Sequence, residues 1–74
     1  MTDISTKLGQ VLRKSREGRG LSQEALAELA DVNRGFLGEI ERGARSASIE
    51  TIKKLADALN EPISELLRKA EEHA

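Results

Sequence analysis

The stretch that decides the fold is residues 21–43, which read LSQEALAELADVNRGFLGEIERG. Ser22 is typical of a helix N-cap, because its hydroxyl can accept a hydrogen bond from a free amide of the first turn. Asn33 can cap a following helix in the same way. The sequence therefore predicts one short helix over Gln23–Ala30 and another that follows the Asn33 cap and runs to about Arg42, so that only three residues separate the two helices.

The apolar residues of this stretch agree with two closely packed helices. Small Ala27 lets the helices approach each other, and Val32 is expected to plug the turn. Two short helices joined in this way form a helix-turn-helix arrangement, whose second helix is free to enter a groove. The predicted inward positions are Leu26, Ala27, Leu29, Ala30, Leu37 and Ile40.

Apolar residues at helical spacing predict three further helices around this pair. The first runs from about Ser5 to Glu17, the fourth follows Ser48, and the fifth has Pro62 in its first turn. Their apolar stripes are Ile4, Leu8, Val11 and Leu12; then Ile49, Ile52, Leu55, Ala56 and Leu59; then Ile63, Leu66, Leu67 and Ala70. No strand alternation competes with these patterns, so we expect one all-α domain of five helices over residues 1–74.

Charge and composition exclude several classes of protein. The 74 residues include 12 Lys and Arg against 13 Asp and Glu, a formal charge of −1. This balance excludes a polybasic arm that attracts nucleic acid by bulk charge. The absence of cysteine excludes disulfides and thiolate metal sites. No apolar run approaches the roughly 18 residues of a membrane span, and no signal peptide opens the chain. We expect a cytoplasmic protein without a membrane partner.

Patterns that carry catalysis or bind metal are missing from the sequence. The one histidine, His73, is next to the C-terminus, and no Ser/His/acid set can be assembled around it. There is no Gly-Lys-Ser phosphate loop and no His/acid spacing that suggests metal ligands. We therefore expect neither an enzyme nor a cofactor, a metal or a small-molecule ligand.

Three segments together resemble a known family: 21–27 (LSQEALA), 33–43 (NRGFLGEIERG) and 55–59 (LADAL). They are similar to the Cro/repressor-type helix-turn-helix family, also called the xenobiotic-response-element family, and the resemblance covers about residues 8–67. Within that family the chain looks most like restriction–modification controller proteins. The resemblance implies a five-helix domain that binds a double-stranded DNA operator as a homodimer.

The resemblance also implies which residues face DNA. It places Arg34, Gly35 and Glu39 towards base edges and Gln23 against a phosphate, with the loop after Gly43 along the DNA backbone. Two positions depart from the family. The family often has glycine where this chain has Asp31, although aspartate tolerates left-handed backbone better than most residues. Gly35 has no side chain at a position that usually reads a base.

The chemistry of the side chains refines these roles. The planar guanidinium of Arg34 matches the O6 and N7 acceptors of guanine, although a phosphate contact or simple solvation also fits. Glu39 can accept from cytosine N4 or orient Arg34 or Arg42 instead. Phe36 can touch a thymine methyl or pack on the core. The expected phosphate contacts are Gln23, Arg42, Arg45 and Ser46.

Two glycines, Gly35 and Gly38, fall on the predicted outer face of the third helix. Each costs a surface helix roughly 1 kcal/mol relative to alanine. Either this helix is poorly optimised, or its bare face lets the backbone come close to DNA or another partner.

Two further features concern structure rather than DNA. The run 13–19 carries four positive charges against one negative, and not all of it can face DNA. In the family, the positions of Arg16 and Glu41 usually form an ion pair that ties the first helix to the third. Part of the C-terminal apolar surface, including Ile63, Leu66 and Leu67, is expected to form a two-fold dimer, unless all of it is core.

Other functions stay open at this point. Within the family, a phage-type repressor or an antitoxin shares much of the pattern. A helix-turn-helix fold used only to bind protein is also conceivable, but it would not need a basic groove face. The presence of Arg34, Arg42 and Arg45 favours DNA.

Overall fold

A computed structural model describes residues 3–72, so His73 lies outside the described residues. Within that range the backbone forms helices and no strands, which confirms the predicted all-α, five-helix fold. The helices are α1 (Ile4–Gly18), α2 (Gln23–Ala30), α3 (Arg34–Glu41), α4 (Ile49–Ala58) and α5 (Ile63–Glu72).

Short polar side chains start the first four helices. The amide of Ala25 donates to Ser22 Oγ at 3.0 Å, and the amide of Phe36 donates to Asn33 Oδ1 at 2.9 Å. Asp3 and Ser48 cap α1 and α4 in the same way. Each cap of this kind contributes about 1 kcal/mol, so the local sequence alone specifies where these helices begin.

The turn between α2 and α3 depends on one left-handed residue. Asp31 has φ 56° and ψ 49°, the conformation that glycine adopts most easily and that aspartate tolerates. The amide of Val32 then donates back to the carbonyl of Ala27 at 3.0 Å, and Val32 packs against the core. This tight reversal lets α3 cross α2 after only three residues.

The core is aliphatic and lies between all five helices. Its largest fully buried side chains are Leu12, Leu26, Leu37, Ile40, Leu55, Leu59 and Leu66. α1 packs against α5 and α3, α2 packs against α3 and α4, and α4 packs against α5. No helix in this part of the chain is both long and apolar enough to cross a membrane.

Three predicted core residues are exposed instead: Leu29 (62%), Ile49 (63%) and Ile4 (50%). On a wheel of about 100° per residue, Leu29 lies roughly 110° from the centre of the stripe of Leu26, Ala27 and Ala30. In the short helix α2 it therefore points away from the core. Ile4 and Ile49 are the first residues of α1 and α4, and the core does not extend to these helix ends.

Gly9 sets how closely α1 approaches α3. A Cβ built on Gly9 would lie 2.2 Å from the carbonyl oxygen of Ile40, far inside any allowed contact. Only glycine therefore lets these two backbones touch. The sequence did not single out Gly9, although its place beside the inward positions Leu8 and Leu12 was a signal.

A polar contact joins α1 to α5 on another side of the molecule. The carboxylate of Glu61 accepts a hydrogen bond from Ser15 and another from Lys69 Nζ at 3.0 Å. Burial raises the pKa of Glu61, but these hydrogen bonds and the charges of Lys69 and Arg19 outweigh burial and lower the pKa below its ordinary value. Glu61 is thus held as a carboxylate in the fold.

Candidate nucleic-acid interface

The outward side of α3 carries a short set of polar and small residues. Arg34 is the first residue of α3, and both Arg34 and Gly35 are exposed. A Cβ on Gly35 would meet only the capping oxygen of Asn33, at 3.1 Å, so the backbone is open to a partner here. Phe36 is half-buried and packs against the core. This agrees with the interpretation of Phe36 as a packing residue, although its ring keeps an exposed edge.

Gly38 does not lie on this open face, contrary to the prediction. It is buried, and a Cβ there would lie 3.3 Å from Arg42 Nη1 and 3.5 Å from Gln23 Oε1. The side chains of Gln23 and Arg42 occupy the space in front of it. The bare surface of α3 is therefore limited to Gly35, and Gly38 provides room for two longer side chains.

A buried charged network lies beneath α3. Arg16 Nε is 2.8 Å from Glu41 Oε2, and Arg16 Nη2 is 3.0 Å from Glu41 Oε1. Arg16 Nη1 also donates to the carbonyl of Leu21 at 2.8 Å. Both charged residues are less than one-tenth exposed. The structure thus brings together the two residues that the resemblance paired, in a bidentate geometry that is stronger than a single contact.

This network reaches α2 through Gln23, whose Nε2 donates to Glu41 Oε1 at 2.9 Å. The hydrogen bond to Glu41 raises the pKa of Arg16, and burial opposes that rise. Side chains of α1, α2 and α3 therefore meet at one carboxylate, which holds α3 at a defined angle to α2. Sequence reasoning missed the link from Gln23 to Glu41, because the two residues are 18 positions apart.

Gln23 keeps part of its bonding capacity. Its amide group has two N–H donors, and Glu41 uses one of them. Gln23 also opens α2, where free backbone amides and the helix dipole attract an anion. The second N–H is therefore available at the end of α2 that favours a phosphate.

The basic residues after α3 lie on its C-terminal side. Arg42 caps α3, and both Arg42 and Arg45 are exposed. Glu39 faces Arg45, with 3.7 Å between Glu39 Oε1 and Arg45 Nε. The interpretation in which Glu39 orients Arg34 or Arg42 is therefore wrong. Ser46 Oγ lies 3.0 Å from Ser5 Oγ, which connects the loop to the start of α1.

The proposed dimer residues divide into two classes. Leu66 has no exposed surface, so the expectation that it lies in a dimer surface is wrong. It occupies the inward position of α5, where it completes the core. Ile63 and Leu67 are only half-buried, so both have surface left for a second chain.

The side chains of this surface suit contact with a charged partner. Within residues 3–72, no group of three or more His, Cys, Asp and Glu residues is placed to hold a metal ion. Exposed guanidinium groups surround α3, and the charged network beneath it ties α3 to α1 and α2. Such an arrangement suits electrostatic and hydrogen-bonded recognition of a polyanion in register with a rigid helix.

Comparisons with known proteins agree with this architecture. A helix-turn-helix family profile, HTH_3, matches residues 12–66. Control protein C.SmaI from Serratia marcescens is 37% identical over 67 residues, which cover 90% of this chain and 80% of that protein. The crystal structure of the restriction-modification controller protein C.AhdI from Aeromonas hydrophila is 48% identical, with a TM-score of 0.81, over 82% of this chain and 92% of that one. The biofilm regulator SinR, solved in complex with DNA, is 33% identical, with a TM-score of 0.78, over 81% of this chain and 97% of that one.

Proposed function

The chain belongs to the helix-turn-helix family, and from that premise we propose that it is a transcriptional regulator that binds a specific double-stranded DNA operator. The observation that carries the proposal is the geometry of α3. This helix exposes Arg34 and Gly35 at one end and Arg42 at the other, while Glu41 ties its inner side to α1 and α2. A rigid helix with a positive outer face suits the major groove.

Base recognition in this proposal centres on Arg34. Its guanidinium can donate two parallel hydrogen bonds to guanine O6 and N7, which is worth about 1–3 kcal/mol of discrimination. Gly35 adds no side chain and lets the backbone of α3 approach the base edges. The exposed edge of Phe36 fits a thymine methyl, and Glu39 fits the amino group of cytosine.

Contacts to the DNA backbone surround these base contacts. Gln23 presents a free N–H at the positive end of α2, where a phosphate is favoured. Arg42, Arg45 and Ser46 follow along the C-terminal end of α3 and its loop. Such contacts fix the orientation of the protein but carry no sequence information of their own.

The proposed assembly is a homodimer with two-fold symmetry. Ile63 and Leu67 of α5 are half-buried in the single chain, and a second copy would cover what remains exposed. A two-fold dimer places two recognition helices about one turn of DNA, roughly 34 Å, apart.

The likeness to C.SmaI and C.AhdI favours a controller of a restriction–modification system. In this role the protein would bind DNA without catalysing a reaction. These relatives come from bacteria, whose DNA is cytoplasmic, so the proposal places this protein there.

Selection of bound sites from a random DNA pool tests the proposal. We expect a motif of two symmetric half-sites about one helical turn apart. Arg34→Ala should relax the preference at one base pair per half-site by about 1–3 kcal/mol. Arg68→Ala, which removes an exposed arginine of α5, should leave the motif unchanged. If no DNA sequence is enriched from the pool, the proposal is refuted. If Arg34→Ala selects the same motif as wild type, the proposed base contact of Arg34 is refuted.

The dimer is tested by two adjacent leucines of α5. Leu67→Ala should weaken self-association in sedimentation with little loss of monomer stability. Leu66→Ala should instead cost about 2–5 kcal/mol of stability, because it leaves a cavity in the core. Wild-type protein that sediments only as an 8.1 kDa species at micromolar concentration would rule out the dimer.

A further inference from the structure

A groove between α1 and α3 extends beyond the contacts described so far. It has a volume of about 610 Å³. Its α1 wall is one exposed face of that helix, and its α3 wall is the C-terminal end, which also belongs to the proposed DNA interface. The groove is lined by Gln10, Arg13, Lys14, Glu17, Glu41 and Arg42.

The acidic residues of the α1–α3 groove are already neutralised. Glu41 is bonded to Arg16, at 2.8 Å. Glu17 is bonded to Arg13, with 3.2 Å between Glu17 Oε2 and Arg13 Nε. Among residues 3–72, neither Lys14 nor Arg42 has an acidic side chain within ion-pairing distance. The groove therefore presents two uncompensated positive charges, one on each wall.

The shape and lining of the groove favour an extended polyanion. It is open and charged, whereas a small-molecule site is usually enclosed and mostly apolar. The side chain of Gln10 adds hydrogen-bonding groups beside Lys14 along α1. Since Arg42 belongs both to this groove and to the proposed phosphate contacts, an anionic chain that reaches Arg42 along α3 can continue to Lys14.

We propose that the α1–α3 groove binds the sugar-phosphate backbone of the same DNA whose bases α3 reads, with Lys14 as an additional phosphate contact and Arg13 beside it. This inference rests on the proposed function. It extends the interface from the helix-turn-helix unit to the exposed face of α1. Arg13 exchanges Glu17 for a phosphate in the complex, which is feasible because both side chains are more than half exposed.

The first test is the salt dependence of binding to a duplex recovered from the random pool. Each phosphate contact contributes about 0.9 to the slope of log affinity against log salt. Lys14→Gln should reduce that slope by about 0.9, so its deficit relative to wild type should shrink roughly 3.5-fold between 50 and 200 mM salt. Lys54→Gln removes an exposed lysine of α4 away from the groove and should leave the slope unchanged.

Two further variants test the part that charge plays in the groove. Lys14→Arg keeps the charge and should bind like wild type. Glu17→Gln removes the anion that competes for Arg13 and should raise the affinity, and an affinity equal to wild type would contradict the phosphate contact of Arg13. Circular dichroism should show unchanged helix content, since all of these side chains are exposed.

Neutral methylphosphonate groups then locate the contact. When single phosphates of the duplex are replaced in turn, we expect at least one position that weakens wild-type protein and Lys54→Gln but does not weaken Lys14→Gln. If wild-type protein binds the duplex and Lys14→Gln matches Lys54→Gln in every assay, the groove proposal is overturned and the proposed function stands. If wild-type protein binds no duplex, both proposals fail.

Discussion

The carboxylate of Glu41 is the point at which α1, α2 and α3 are joined, so Glu41→Ala is the most informative single substitution. In the folded chain the side chains of Arg16 and Glu41 are only 10% and 2% exposed. Alanine at position 41 leaves the Arg16 guanidinium buried with two of its donors unpaired, and it also removes the acceptor of Gln23. Such an uncompensated charge is expected to dominate the effect.

The magnitude follows from the burial of the pair. Removing one partner of a buried ion pair costs about 3–5 kcal/mol. A folded chain of 74 residues has a total stability of roughly 4–11 kcal/mol, at about 0.05–0.15 kcal/mol per residue. At about 4–8 °C per kcal/mol for a domain of this size, the melting temperature should fall by at least about 12 °C.

The assay is thermal and urea unfolding followed by circular dichroism, at one protein concentration because a dimer has concentration-dependent stability. Asp57→Ala is the matched control, since it breaks the exposed Lys53–Asp57 pair of 2.6 Å and should cost less than about 1 kcal/mol. The double variant Arg16→Met with Glu41→Leu should recover most of the loss, because no unpaired charge remains. If Glu41→Ala were no more destabilising than Asp57→Ala, the assigned role of the network would be refuted.

Two other predictions concern contacts of α1, one with the backbone of α3 and one with Glu61. Gly9→Ala should destabilise the fold by about 1–3 kcal/mol or more, since its Cβ would lie 2.2 Å from the carbonyl of Ile40. A Cβ on Gly18 would meet nothing within 4 Å, so Gly18→Ala should leave the stability unchanged or raise it by up to about 1 kcal/mol. Equal urea midpoints for the two variants would contradict the close backbone contact assigned to Gly9. The pKa of Glu61 is lowered from 4.5 in the fold, so its carboxylate stabilises the protein above that pH and the contribution is lost as the pH falls through the lowered pKa. Glu61→Gln should therefore flatten the fall in melting temperature as the pH drops below 4.5, and a profile parallel to wild type would show that Glu61 carries no such contribution.

Local signals account for the parts of the fold that the sequence predicted well. Ser22 and Asn33 define the starts of α2 and α3 by hydrogen bonds that span three residues, so no distant partner is needed to specify them. The left-handed backbone of Asp31 is likewise a property of one residue in one turn. Periodicity was less reliable at the ends of helices, where Ile4 and Ile49 fit an apolar stripe but have no core to cover them.

The candidate site shows the same division. The positions of Arg34 and Gly35 on the outward side of α3 follow from their place on a single helix, and the sequence predicted them. The burial of Gly38 does not follow, because the side chains in front of it come from Gln23 on α2 and from Arg42. The pairing of Glu39 with Arg45 depends in turn on the path of the loop after α3.

The sequence by itself therefore determined that the chain forms five helices, where α2 and α3 begin, and that these two form a helix-turn-helix pair. These are consequences of caps, turns and periodicity, which act over a few residues. Only the tertiary structure decided that Gly9 is a backbone contact with Ile40, that Leu66 is core while Leu67 is not, and that Gln23 shares Glu41 with Arg16. Each of these depends on atoms that are distant along the chain and meet only when the helices pack, so spacing along one helix cannot reveal them.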